Sequence, residues 1–150
     1  VHKAYPPIYA ALCEKVGFDS SLLIRGVEGG VVPSLRQKGL MISYHKGVEK
    51  DRVEIDPKLL GINSKLRAIA FPKRFENGTE RDLLAEYVVD LGRSALSGES
   101  GMFYDGLVYS ASLILWHLRK SKSLPEASDR VREVLNSGKA LNRLVANKNL

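Results

Sequence analysis

The spacing of apolar residues changes character near the middle of the chain. In the first half the apolar runs are short and punctuated by glycine and proline; in the second they recur at helical intervals. Pro6-Pro7 opens a helical pattern through Ile8, Ala11, Leu12 and Lys15 that Gly17 stops, with proline in the first turn and glycine just past the end. Leu22-Leu23-Ile24 reads as a short buried strand that ends in the turn Arg25-Gly26-Val27-Glu28-Gly29-Gly30. Leu40–His45, bounded by Gly39 and Gly47, reads as a second buried strand next to the first. Arg52–Ile55 alternates charged and apolar residues, as a partner strand or hairpin arm would, and Asp56-Pro57 ends it. Leu66–Phe71 reads as a further extended segment closed by Pro72.

From Thr79 onward the pattern predicts helices. Thr79 can cap a helix carrying Leu83, Leu84, Tyr87, Val88 and Leu91, and Asp82 places an acid in its positive first turn. Gly98 and Gly101 break it. Met102–Lys120 predicts a central helix packed through the stripe Leu107, Ala111, Ile114 and Leu118. Ser123 and Glu126 have capping-box spacing for a third helix with Val131, Val134 and Leu135, ended by Gly138. Ala140, Leu141, Leu144 and Val145 suggest a last short one. The order of elements predicts an α/β fold: a short, mostly parallel sheet with packed helices and an all-helical C-terminal part.

Composition adds little to this; charge adds more. The chain has 150 residues, 44% hydrophobic and 27% charged, which excludes a disordered or low-complexity segment. A single cysteine, Cys13, excludes an internal disulfide and a multi-cysteine zinc site, and it reads as a small core residue. No signal pattern or spanning apolar run is present, so the expected location is the cytoplasm or an organelle interior. The net charge is +6, and all of it arises in residues 36–74, which hold ten lysines and arginines against four acids; the segments on either side are balanced. A localised basic segment attracts phosphate-rich partners, while a solvated surface is the plainer account.

No phosphate-binding loop motif, dinucleotide fingerprint or zinc-protease motif is present, and no residue is assigned a catalytic or metal-binding role. Arg25, Gly26, Glu28, Gly29 and Gly30 follow a strand, as a loop cradling a substrate or a phosphate would; ordinary turn geometry accounts for the glycines equally. His117, next to Trp116, is expected at a core boundary. Asp51, Glu54 and Asp56 are expected to pair with Lys50, Arg52 and Lys58 rather than to hold a cation.

Three stretches carry a resemblance to the C-terminal half of the anthranilate phosphoribosyltransferase family, within the nucleoside phosphorylase-like phosphoribosyltransferases. They are Val1–Gly17, Leu22–Ser34, and Gly98–Leu144 with its Ser137-Gly138-Lys139-Ala140-Leu141. The resemblance implies that residues 1–150 are the C-terminal portion of such an α/β domain, with an N-terminal helical domain and a glycine-rich phosphate loop before Val1. It implies phosphoribosyl transfer by the intact protein, with magnesium accompanying phosphoribosyl pyrophosphate, and a chain that is inactive alone. The departures matter as much. Arg25-Gly26 replaces the family's usual His-Gly, and Val31-Val32 stands where an Asp-Glu pair is implied to hold the magnesium; valine supplies no oxygen ligand. The alternative is a non-catalytic relative that binds nucleic acid through Arg36, Lys38, Lys46, Lys50 and Arg52. The expected partners are nucleic acid, the missing N-terminal part and a second copy in a homodimer.

Overall fold

The first helix, α1 (Tyr5–Val16), begins at the proline pair and ends at Gly17, whose φ of +101° suits a residue without a Cβ. The computed structural model describes residues 5–27, 32–69, 72–75 and 81–147. Three strands follow α1: β1 (Ser20–Ile24), β2 (Gly39–His45) and β3 (Val48–Ile55), in the spatial order β1-β2-β3.

Both pairings are antiparallel, which corrects the expected mostly parallel sheet. For β2 and β3 the reason lies in the connection. Parallel neighbours need a crossover of a dozen or more residues, commonly a helix. Here β2 and β3 are joined by Lys46-Gly47 alone, with φ of 47° and 70°. Positive φ at both central residues is the tight hairpin turn whose twist matches the flanking strands. β1 and β2 are neighbours, as predicted, in a register of Leu22 opposite Ser43. β2 is buried from Met41 to Tyr44, but β1 is only half-buried.

Alternation along the strands divides the side chains between two faces. Leu22, Ile24, Met41, Val53 and Ile55 point to the main core, with Leu35, Leu60 and Ile62. Leu23, Ile42 and Tyr44 point the other way, against Ala10 of α1. The sheet therefore lies between α1 and the C-terminal helices, α2 (Arg81–Leu96), α3 (Met102–His117), α4 (Leu124–Asn136) and α5 (Lys139–Ala146), of which α3 packs on it directly.

α3 is the central helix, as expected, but the predicted stripe is not its packed face. Leu107, Ile114 and Leu118 are exposed, the last two by about half, and Ala111 is half-buried. The helix is squeezed from two sides instead. Tyr109 and Leu113 face the sheet, and Tyr104 and Val108 face Ala95, Val131 and Leu135 of the neighbouring helices. A helix that is apolar on most sides offers several stripes of equal quality, so periodicity alone does not pick the buried one.

Local signals elsewhere hold. Ser123 accepts from the amide of Glu126 at 3.3 Å, Pro125 sits in the first turn of α4, and Gly138 takes φ +70° where α4 hands over to α5. Residues 65–68 form bends rather than an extended strand, and Ile69 is half-buried; the rest of the predicted Leu66–Phe71 segment, and Thr79, lie outside the described residues. No helix among the described residues is long and apolar enough to cross a membrane.

Candidate nucleic-acid interface

Among the described residues, the basic segment 36–74 is a loop, a hairpin, the 3-10 turn Pro57–Leu60, a second loop through residue 69 and the start of another 3-10 turn, Lys73–Phe75. Its charge is not evenly available. Each of its four acids already faces a donor. Glu49 pairs with Arg52 at 2.8 Å, Glu54 with Lys38 at 2.7 Å and Asp51 with Arg119 at 2.6 Å. Asp56 accepts from the backbone amide of Lys58 at 2.9 Å, capping the 3-10 turn Pro57–Leu60. Asp51 and Glu54 thus pair with cations other than the expected ones, Arg119 just past the end of α3 and Lys38 before β2, while Asp56 meets the expected Lys58 through its backbone amide rather than its ammonium. The Arg52 guanidinium holds the Glu49 carboxyl below its ordinary pKa, and Glu54 raises that of Lys38. Among the described residues no group of three His, Cys, Asp or Glu residues could hold a metal ion.

These pairs divide the five expected nucleic-acid contacts. Lys38 and Arg52 are neutralised within the chain. Lys46 and Lys50, at the hairpin end of β3, are exposed and in no ion pair among the described residues. Arg36 sits beyond the opposite end of β2, roughly 20 Å away by strand rise. The five do not form one patch.

Folding assembles a different cluster. The loop before β2 and the loop after the 3-10 turn are tied together: the Leu35 amide donates to the Arg67 carbonyl at 3.0 Å, and Arg36 Nη1 donates to the Lys65 carbonyl at 3.4 Å. Arg36, Lys65 and Arg67 are thereby drawn together, all exposed and none in an ion pair among the described residues. Each loop is braced by a serine. Ser34 Oγ accepts from the amides of Arg36 and Gln37, and Ser64 Oγ accepts from the amide of Leu66. Leu35, only 1% exposed, anchors the assembly in the main core. Sequence spacing hid this cluster, because about thirty residues separate its parts; the signal available was only that both loops are basic.

Of the candidate phosphate loop, Arg25 is exposed and Gly26 half-buried, while Glu28, Gly29, Gly30 and Val31 lie outside the described residues. Val32 is half-buried, and its Cγ1 lies 4.0 Å from where a Cβ on Gly106 in α3 would stand. The position where the family resemblance implies a metal carboxylate is used here for apolar packing.

His117 ends α3 between two strands. Ser20 Oγ lies 2.6 Å from its Nε2 and Ser43 Oγ 3.1 Å from its Nδ1. Burial, with the charge of Arg119 adding to it, lowers its pKa, and Asp51 opposes them. The expectation of a core-boundary histidine is met, and its partners come from strands distant in sequence.

Comparison with known proteins adds a distant relative. A protein of Aquifex aeolicus (strain VF5), described only as an uncharacterized protein, is 28% identical over 134 residues. The match covers 88% of this chain and 38% of that protein, so the chain spans well under half of the relative's length. No family model matches.

Proposed function

We propose that this stretch binds the phosphate backbone of nucleic acid, without strong sequence preference, through Arg36, Lys65 and Arg67. The observation that carries the reading is the allocation of charge. All four acids of residues 36–74 are engaged inside the chain, while these three cations are exposed, in no ion pair among the described residues, and held together by two cross-loop hydrogen bonds. Arg36 spends one N–H on Lys65 and keeps the remaining donors of its fork for a phosphate. Lys46 and Lys50 add a second, more distant point of attraction. Among the described residues of the segment Tyr44 is the one phenylalanine, tyrosine or tryptophan, and it is buried, so it offers no platform for stacking on bases.

Phosphoribosyl transfer by a longer polypeptide rests on the family resemblance alone. Packing of Val32 beside Gly106 favours the non-catalytic alternative, because valine cannot bind a hard cation.

The test is binding to duplex DNA followed by fluorescence anisotropy across a salt series. Replacing Arg36, Lys65 and Arg67 together with alanine should weaken every sequence alike and reduce the log–log salt slope by about 3. The Lys38→Ala/Arg52→Ala pair should change the slope much less. Equal losses for the two sets would reduce the reading to an undirected surface charge.

A further inference from the structure

The two edges of the sheet differ in how they are protected. β3 carries Glu49, Lys50, Asp51, Arg52 and Glu54, and its register with β2 shifts between Ser43 and Tyr44, leaving Lys50 as the extra residue of a bulge. Charges and bulges are the usual means by which an edge refuses further pairing. β1 has neither: its sequence Ser-Ser-Leu-Leu-Ile is uncharged, free of proline, and regular against β2 throughout.

The direction of its hydrogen bonds follows from the ends of the ladder. Lys46 donates to the Asp19 carbonyl and Arg25 donates to the Leu40 carbonyl. Residues 19, 21, 23 and 25 therefore turn their backbone groups to β2, and Ser20, Leu22 and Ile24 turn theirs to the open edge. Among the described residues, β2 is the only strand paired with β1.

We infer that β1 pairs with β1 of a second copy of this chain, antiparallel and centred on Leu22, to make one continuous six-stranded sheet. Three features of the chain select a second copy as the occupant. Centring on Leu22 sets Ser20 opposite Ile24 of the other copy in the hydrogen-bonded pairs, so all the outward backbone groups of β1 are used. The same register sets Asp19 opposite Arg25 at both ends of the ribbon, in the closely spaced non-hydrogen-bonded pairs, where opposite charges attract. Both residues are exposed, and neither is in an ion pair among the described residues. Finally, α1 packs on β1, the edge strand. A two-fold axis normal to the sheet brings both α1 helices to one face beside the axis. Their Ile8, Tyr9 and Leu12, each about half exposed, then have apolar surface to meet.

Sedimentation velocity over a concentration series tests this with the 150-residue chain. The expected result is a reversible dimer. Arg25→Asp, which sets Asp19 against a new acid at both ends, should weaken it by about tenfold or more, as should Asp19→Arg. The Asp19→Arg/Arg25→Asp double variant should recover most of the loss, because the charges face each other again with signs exchanged. Both positions are exposed, so circular dichroism should be unchanged in all three variants. Hydrogen exchange gives a second readout: the amides of Leu22 and Ile24 slow on dimerisation, and that of Leu23 is slow in monomer and dimer alike. A chain that stays monomeric throughout the series overturns the inference. So does a dimer whose double variant is as weak as the two single ones, which would assign the contact to another surface.

Discussion

The backbone amide of Leu35 donates to the carbonyl of Arg67 at 3.0 Å, and the Leu35 side chain is buried in the main core beside Tyr109 and Leu113. One residue thus couples the packing of the sheet against α3 to the placement of the basic loops. Leu35→Ala should cost about 2–5 kcal/mol of stability, the range for emptying a buried leucine site. Where the variant is still folded, DNA binding should weaken although no charge has been removed. Chemical denaturation and anisotropy on the same samples check both statements.

His117 predicts a pH dependence. Its pKa is lowered in the folded protein, so the unfolded chain binds the proton more readily. Its contribution is fully present above the ordinary histidine value near 6.5 and is lost as pH falls through the lower folded value. The urea midpoint should therefore drop from about pH 8 to about pH 5, and His117→Gln should flatten that part of the profile. A midpoint that rises on acidification would show that Asp51 dominates over burial and Arg119.

Tyr109 is fully buried, and its hydroxyl has no hydrogen-bond partner among the described residues. Burial, with the nearby charge of Asp56 adding to it, drives its pKa far upward, so the group stays a neutral phenol. An unsatisfied buried hydroxyl costs about 1–3 kcal/mol. Tyr109→Phe should raise stability by roughly 1 kcal/mol in equilibrium unfolding. A loss of stability instead would reveal a buried water bridging that hydroxyl.

Gly98 closes the turn after α2 with φ +92°, and a Cβ there would lie 2.8 Å from the Cα of Asn136 at the end of α4. Backbone cannot move aside as a side-chain tip can. Gly98→Ala should destabilise by at least about 1–3 kcal/mol, from strain in φ and from the clash together. Gly138→Ala, with φ +70° but no atom within 4 Å of its Cβ, carries only the first cost and should lose less. Thermal unfolding of the two variants side by side separates these contributions.

Arg132 sits at a junction between layers. Its Nη2 donates to the Leu60 carbonyl at 2.6 Å, and its guanidinium lies 5.7 Å from the ring centre of Tyr104. Hydrogen bonds from charged donors contribute about 1.5–3 kcal/mol. Arg132→Lys should lose a good part of this, since an ammonium lacks the planar fork that bonds and stacks at once. Comparison of denaturation midpoints for Arg132→Lys and Arg132→Ala tests that distinction.

Local chemistry determined a good share of this protein from sequence alone. Proline and glycine positions marked α1, Ser123 marked the start of α4, β-branched and aromatic residues between Gly39 and Gly47 marked β2, alternation over Arg52–Ile55 marked the second half of β3, and the clustering of charge in residues 36–74 is plain to read. These signals act over a few residues, so no tertiary context is needed to interpret them. Tertiary structure decided the rest. Strand direction depended on whether Lys46-Gly47 formed a two-residue turn, which composition does not specify. The buried face of α3 depended on which of several apolar stripes met the sheet, and packing chose Tyr109 and Leu113 over Ile114 and Leu118. The same holds for charge: the sequence shows ten cations and four acids, but only the folded chain neutralises Lys38 and Arg52 and leaves Arg36, Lys65 and Arg67 together. Ion pairing and cross-loop hydrogen bonds join residues far apart in the chain, and that is information no local pattern contains.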